Sequence, residues 1–105
     1  MKYETRVKLN PLQDELNEIY FEIGKRMDSM EGDKRETAKA AQAFTAHGIG
    51  GEFSKALDID EIPQVTFHYF NVVGDQLERA GLDDLKVRLD ALREKTSQMQ
   101  EILKK

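Results

Sequence analysis

The clearest structural signal in this chain lies in the stretch LDDLKVRLDALREKTSQMQEILKK (residues 82–105). Apolar residues recur in it at alternating spacings of three and four, which is the pattern of a heptad repeat. A helix with such a stripe needs a partner that covers it, so the pattern predicts a protein built from packed helices. The predicted packing seam of this helix consists of Leu82, Leu85, Leu89, Leu92, Thr96, Met99 and Leu103.

The residues that flank this seam are mostly basic: Lys86, Arg88, Arg93 and Lys95. Two copies of the helix would place these like charges against each other, so self-pairing through the seam is disfavoured. Residues 11–31 provide a better partner, because Glu15, Glu18 and Glu22 lie beside an apolar stripe there. We therefore expect the first and last helices to pack together, within one chain or across a dimer. The predicted seam of the first helix is Leu16, Ile19 and Ile23.

The whole chain, residues 1–105, is predicted to be a single all-α domain resembling a small four-helix bundle. The helices are expected at about 11–31, 34–47, 61–80 and 83–104, with a short helical turn at 52–57. Asn10 and Pro11 open the first helix with a capping sequence, and Gly81 ends the third. The segment 63–73 is also compatible with a strand, because Val65, Phe67 and Tyr69 alternate with other residues. A helix is the preferred interpretation because it accounts for all of 61–80.

Two segments are expected to lie outside the bundle. Apolar and charged residues alternate from Tyr3 to Leu9, which predicts an extended arm over residues 1–9. A lone strand has no partner within its own chain, so this arm pairs across an oligomer if it pairs at all. The glycines of Gly48-Ile49-Gly50-Gly51 predict a flexible connector over residues 48–60.

Composition narrows the class of protein. Of the 105 residues, 39% are hydrophobic and 34% are charged, which suits a globular helical domain. The net charge of −4 gives no general attraction to nucleic acid or to an anionic membrane. The chain has no cysteine, and no apolar run approaches the length of a membrane span. These features favour a cytoplasmic protein that binds neither membrane nor nucleic acid.

The sequence offers no motif for catalysis, cofactor binding or metal binding. His47 and His68, even with help from Asp58 or Asp60, do not have the spacing of a known metal site. The two aspartates are better interpreted as helix caps or turn residues. The glycine-rich segment lacks the Lys and Ser or Thr of a phosphate-binding loop. We therefore expect no metal, no cofactor and no enzymatic activity.

The function expected from these features is that of a small regulatory or adaptor protein that binds another protein through its helices, as a homodimer. Apolar side chains that lie off the packing seams are the candidates for the partner surface. These candidates are Phe21, Phe67, Val87 and Ile102.

Two alternatives stay open. Residues 37–57 have the order of a helix-turn-helix DNA-binding motif, with Lys34, Arg35 and Lys39 available for phosphate contacts. The length of the chain and the segment Ile49-Gly50-Gly51-Glu52-Phe53 also resemble the WXG100 family of type VII secretion substrates. That resemblance implies a small secreted helical hairpin. The chain has no tryptophan, so the residue that defines the family motif is missing.

Overall fold

The computed structural model describes the backbone of residues 3–58 and 68–103, and the side chains of 10–54, 68–99 and 101. This part of the chain contains five α-helices and no strand. They are α1 (Tyr3–Met27), α2 (Gly32–Phe44), α3 (Gly50–Asp58), α4 (His68–Arg79) and α5 (Asp83–Leu103). A single π-helical turn, Thr45–Ile49, joins α2 directly to α3. The all-α fold expected from the sequence is confirmed.

Four of the helices form the bundle. In the described part of the chain, α1 packs beside α2, α2 beside α4, α4 beside α5, and α5 beside α1, so that the ring closes. The first and last helices run antiparallel, because Arg26 near the end of α1 meets Asp84 while Glu15 meets Arg88. Helix α3 extends the path of α2 and lies against α1. The arrangement is that of a small helical bundle.

One contiguous apolar core fills the space between the helices. Every bundle helix contributes to it with a stripe at helical spacing, while the π turn adds Ile49 and α3 adds Phe53. The apolar side chains buried to at least nine-tenths, among the described residues, are Leu12, Leu16, Ile19, Ile23, Ala38, Ala41, Ile49, Phe53, Phe70, Val73, Leu77, Ala80, Leu82, Leu85, Leu89, Leu92 and Met99.

The extended arm predicted for residues 1–9 is wrong over residues 3–9, because Tyr3–Met27 is one helix. Pro11 lies inside this helix, whereas the sequence placed it at the helix start. A proline inside a helix removes one backbone hydrogen bond. An isolated strand would leave a whole row of backbone groups without partners, so the helix is the more economical state for residues 3–9.

The flexible connector predicted for residues 48–60 is also wrong as far as Asp58, because the chain stays helical throughout Gly32–Asp58. The backbone of Thr45 and Gly50 keeps right-handed helical angles, and the N–H of Gly50 donates to the carbonyl of Thr45. The hydroxyl of Thr45 donates to the carbonyl of Ala41 at 2.7 Å. Such a bond back to the preceding turn perturbs a helix, which fits a π turn that begins at this residue.

The end of α4 follows the sequence prediction. Gly81 has a φ of +77°, which a residue without a β-carbon adopts readily. The N–H of Gly81 donates to the carbonyl of Glu78, and the N–H of Leu82 donates to that of Leu77 at 2.8 Å. This pair of bonds is a Schellman motif, and it turns the chain sharply into α5. Helix is also observed over residues 68–73, while the rest of the ambiguous segment, 63–67, lies outside the described residues.

Candidate protein-interaction surfaces

The seam residues predicted on α1 and α5 lie in the core. On α1, Leu16, Ile19 and Ile23 are at most 2% exposed. On the other helix Leu82, Leu85, Leu89 and Leu92 are at most 3% exposed and Met99 is 6% exposed, while the side chain of Leu103 is outside the described set. These side chains hold the fold together, so a partner surface has to be sought elsewhere on the same helices.

An ion-pair network connects α1 to α5 along the edge of this seam. Arg88 lies 3.1 Å from a carboxylate oxygen of Glu15 and 3.0 Å from one of Glu18. Arg26 makes two hydrogen bonds to Asp84, at 2.6 and 3.1 Å. Among the predicted basic flanks of α5, Arg88 thus meets acidic residues of α1, whereas Lys86 pairs with Glu78 of α4. The Arg26–Asp84 pair has the opposite polarity, because its base lies on α1. Glu22 differs from the expectation, because it contacts Arg26 and Lys25 on its own helix.

Two ion pairs shift pKa values: Arg26–Asp84, between α1 and α5, and Lys86–Glu78, between α5 and α4. The hydrogen bond from Arg26 holds the pKa of Asp84 below its ordinary value, and the same bond raises the pKa of Arg26. Between α4 and α5, the hydrogen bond to Glu78 raises the pKa of Lys86. In all three cases the shift favours the charged form of the group.

Thr96 is the polar residue of the α5 seam. It is fully buried, and its hydroxyl donates to the carbonyl of Leu92 at 2.8 Å. The hydroxyl therefore has a partner within its own helix, which lets a polar side chain occupy a core position.

Two of the four side chains predicted for a partner surface are strongly exposed. Phe21 is 65% exposed on α1, and Val87 is 67% exposed on α5. Each lies two residues, or about 200° of helical rotation, from two core residues of its own helix, so each points away from the core. Phe67 and the side chain of Ile102 lie outside the described residues.

Phe21 and Val87 also lie at nearly the same level of the bundle. Glu18, which is paired with Arg88, precedes Phe21 by three residues, and Val87 comes directly before Arg88. Because the helices are antiparallel, Phe21 and Val87 are displaced from the Glu18–Arg88 pair towards the same end of the bundle. The displacement along the helix axis is about 4.5 Å for Phe21 and about 1.5 Å for Val87. The two exposed apolar side chains therefore lie at nearly the same level of the bundle, one on the outer side of α1 and the other on the outer side of α5.

An aromatic cluster that the sequence does not indicate lies where α2 meets α4. The ring of Phe44, which is 40% exposed, stacks on Tyr69 with 6.2 Å between the ring centres, and His68 approaches the same ring edge-on at 5.4 Å. Tyr69 also covers Gly48, where an added β-carbon would lie 2.6 Å from its ring. No local signal announces this cluster, because its members are up to 25 residues apart in the chain.

A small cleft lies between α1 and the π turn. It has a volume of about 180 Å³, and its lining supplies amides and hydroxyls but no carboxylate, amine or imidazole. Across it, the amide of Gln13 donates to the hydroxyl of Ser54 at 3.3 Å. The lining residues are Gln13, Leu16, Asn17, Tyr20, Thr45, Ala46, Gly50 and Ser54.

The residues considered for a metal site are spread over the surface. His47 and His68 are both exposed. No group of three or more potential metal-binding side chains occurs among the described residues, while Asp60 and the side chain of Asp58 lie outside them. Within residues 3–58 and 68–103, no helix is both long and apolar enough to cross a membrane.

The backbone between α2 and α3 also bears on the helix-turn-helix motif and on the WXG100-type hairpin that the sequence suggested as alternatives. A helix-turn-helix motif needs a turn that sets its second helix at a steep angle to the first. Residues 44–50 contain no such turn, since the helical path continues from α2 through the π turn into α3. A two-helix hairpin with its turn at residues 49–53 is absent for the same reason.

Comparison with protein-family models, with curated proteins and with solved structures finds no match for this chain.

Proposed function

We propose that this chain is a small non-enzymatic regulatory or adaptor protein that binds another protein through the outer faces of its helices. The observation that carries the proposal is the pair Phe21 and Val87, two large apolar side chains left in solvent at the same level of α1 and α5. Single exposed apolar residues are common on any protein surface, but a surface that presents several of them marks an interaction site.

The construction of the bundle supports this proposal. The seam side chains of α1 and α5 are buried in the core, which fixes the two helices against each other. Phe21 and Val87 therefore lie on the outer surface of a packed bundle. A preformed surface of this kind binds without the entropy cost of ordering a loop. The cleft beside the π turn is small, at about 180 Å³, and two larger ones, of about 350 and 460 Å³, are lined mainly by charged residues of α4 and α5.

The test is affinity capture with three forms of the immobilised protein. Wild type, the double variant Phe21→Ser/Val87→Ser, and the control variant Lys39→Ser/Ala43→Ser, on the exposed side of α2, are incubated with lysate of the native host. We expect proteins that wild type and the control retain and that the Phe21/Val87 variant loses. Equal retention by all three forms, or no specific retention by wild type, would contradict the proposal.

A homodimer is the assembly that we propose for the free protein. Multi-angle light scattering at tens of micromolar measures it directly, because the monomer has a mass of 12.1 kDa. A mass near twice that value is the expected result. A mass that stays at the monomer value over this concentration range would remove the homodimer from the proposal and leave the binding of a different protein in place.

A further inference from the structure

The charges of the bundle are separated between its two sides. Among the described side chains, α1 and α5 together carry seven exposed carboxylates and three exposed Lys or Arg residues. Helices α2 and α4 together carry four exposed carboxylates and four exposed Lys or Arg residues. Among the described side chains, the excess of exposed negative charge therefore lies on the α1–α5 side. The carboxylates of that side are Asp14, Glu18, Asp83, Asp84, Asp90, Glu94 and Glu101, and its bases are Lys25, Arg93 and Lys95.

The carboxylates of α5 surround Val87. On a helix, the residues three and four positions away are the nearest surface neighbours. For Val87 these are Asp83, Asp84, Asp90 and the small residue Ala91, and all four are exposed. An apolar side chain thus stands at the centre of a ring of negative charge, with no basic residue among these neighbours.

The bases at the α1–α5 junction do little to neutralise this side. Arg26 is engaged by Asp84, and Arg88 is held between Glu15 and Glu18. Both guanidinium groups are only partly exposed, at 37% and 38% of the side chain. Their charge is already matched by these carboxylates. Lys86, which is bonded to Glu78 of α4, also interacts with Asp83 and Asp90. An approaching partner still meets an excess of exposed carboxylates on this side.

We infer that the outer side of α1 and α5, centred on Phe21 and Val87, binds a basic amphipathic segment of a partner protein. This inference rests on the proposed function and names the chemistry of the partner. Apolar residues of the segment would cover Phe21 and Val87, while its Lys or Arg residues would meet Asp90, Glu94 and their neighbours. Such a combination of an apolar anchor with a complementary charged rim is how helical segments bind to surfaces.

A second copy of this chain is a poorer occupant of the same face. A symmetric dimer places one surface against itself, so the carboxylates around Val87 would meet the same carboxylates of the other copy. Like charges brought together at an interface oppose binding. Any homodimer should therefore use another face, such as the charge-balanced side formed by α2 and α4.

The experiment uses two fluorescent peptides with the same amphipathic helical pattern, one of Leu and Lys and the other of Leu and Glu. Fluorescence anisotropy is measured with wild type and with three double variants. The variant Asp90→Lys/Glu94→Lys reverses the charge of the face, and Phe21→Ser/Val87→Ser removes the apolar anchor. The control, Asp33→Lys/Glu36→Lys, makes the same change of total charge on α2.

We expect wild type to bind the Leu/Lys peptide and not the Leu/Glu peptide. Both variants of the face should weaken binding by about tenfold or more, which is about 1.4 kcal/mol, while the control stays within about threefold of wild type. Higher salt should weaken the complex. Equal weakening by the control would show attraction to total charge alone and would overturn the inference.

The outcomes also separate this inference from the proposed function. If a captured partner depends on Phe21 and Val87 but is indifferent to Asp90→Lys/Glu94→Lys and to salt, the proposed function stands and the basic partner is wrong. If wild type forms a dimer that Phe21→Ser/Val87→Ser loses, the face pairs with itself and the inference is likewise wrong. If nothing in the lysate depends on Phe21 and Val87, the proposed function fails.

Discussion

Gly48 is a glycine because the ring of Tyr69 fills the space that a side chain would need. An added β-carbon would lie 2.6 and 2.7 Å from the two ring atoms nearest the backbone, which cannot move aside without shifting the whole ring. We expect Gly48→Ala to lower the free energy of unfolding by about 1–3 kcal/mol through overpacking. Chemical denaturation monitored by circular dichroism measures the change.

Gly51 is the matched control for this prediction. It is helical and exposed, and nothing lies within 4 Å of the position of its β-carbon. Gly51→Ala should raise the free energy of unfolding by about 0.5–1 kcal/mol, because alanine loses less conformational freedom in a helix than glycine does. If both variants shift stability in the same direction, the packing of Tyr69 on Gly48 is not the deciding contact.

Gln76 buries the polar oxygen of its side-chain amide inside the bundle. Its side chain is 9% exposed, and its amide oxygen has no hydrogen-bond partner among the described residues. Burying an unsatisfied acceptor costs free energy, so Gln76→Met should raise the free energy of unfolding by about 1–2 kcal/mol. Thermal and urea unfolding should agree on the sign.

A second glutamine provides the comparison. The amide of Gln42 donates to the backbone carbonyl of Tyr20 at 3.3 Å, linking α2 to α1. Gln42→Met removes that bond and should lower the free energy of unfolding by about 0.5–1.5 kcal/mol. Destabilisation of similar size by Gln76→Met would show that the Gln76 amide is used in the folded protein.

At the scale of the element, the contact of α1 with α5 depends on which charges meet. A double-mutant cycle between Arg88→Gln and the pair Glu15→Gln/Glu18→Gln should give a favourable coupling of about 0.5–1 kcal/mol, because these groups are in direct contact at a partly exposed site. The same cycle between Arg88→Gln and Glu22→Gln should give a coupling near zero. The reverse ranking would contradict the observed pairing.

The Arg26–Asp84 pair makes the stability of the α1–α5 contact depend on pH. Since the pKa of Asp84 is lowered from 3.8 in the folded protein, its contribution is present above that value and is lost as the pH falls through the lower folded pKa. We expect the free energy of unfolding of Asp84→Asn to decrease less steeply with falling pH in this range than that of wild type. Identical slopes for the two proteins would mean that Asp84 does not contribute.

At the scale of the whole molecule, the face centred on Phe21 and Val87 should be dispensable for folding. Both side chains are about two-thirds exposed and neither belongs to the apolar core, so Phe21→Ser/Val87→Ser should leave the free energy of unfolding within about 0.5 kcal/mol of wild type. Unfolding curves of the two proteins check this. A larger loss would show that these residues stabilise the bundle, and binding defects of the variant would then need another explanation.

Periodic and local signals in the sequence predicted a large part of this fold. The heptad pattern of α5 and the basic residues beside it indicate a helix whose partner should be acidic, and Arg88 does contact Glu15 and Glu18 of α1. Gly81 indicates the end of α4 because a left-handed residue is a local requirement of that turn. The positions of Phe21 and Val87 off their seams likewise follow from helical spacing.

Other features depend on residues that are distant in the chain. The alternation from Tyr3 to Leu9 indicates a strand, but a strand needs a second strand to pair with. Residues 3–9 instead form the first turns of α1. Gly48 and Gly50 suggest a flexible connector until Tyr69 packs on the first and the N–H of the second bonds to Thr45. No pattern within one segment contains that information.

The sequence by itself determined that the protein is helical, that α5 needs an acidic partner and that α4 turns sharply at Gly81, because repeat spacing, charge and backbone freedom are properties of single segments. Only the tertiary structure shows the unbroken path from α2 into α3, the closed ring of four helices and the exposed carboxylates on the same side as Phe21 and Val87. These features arise only when segments far apart in the chain pack together, since packing determines which charges are matched and which apolar side chains remain in solvent.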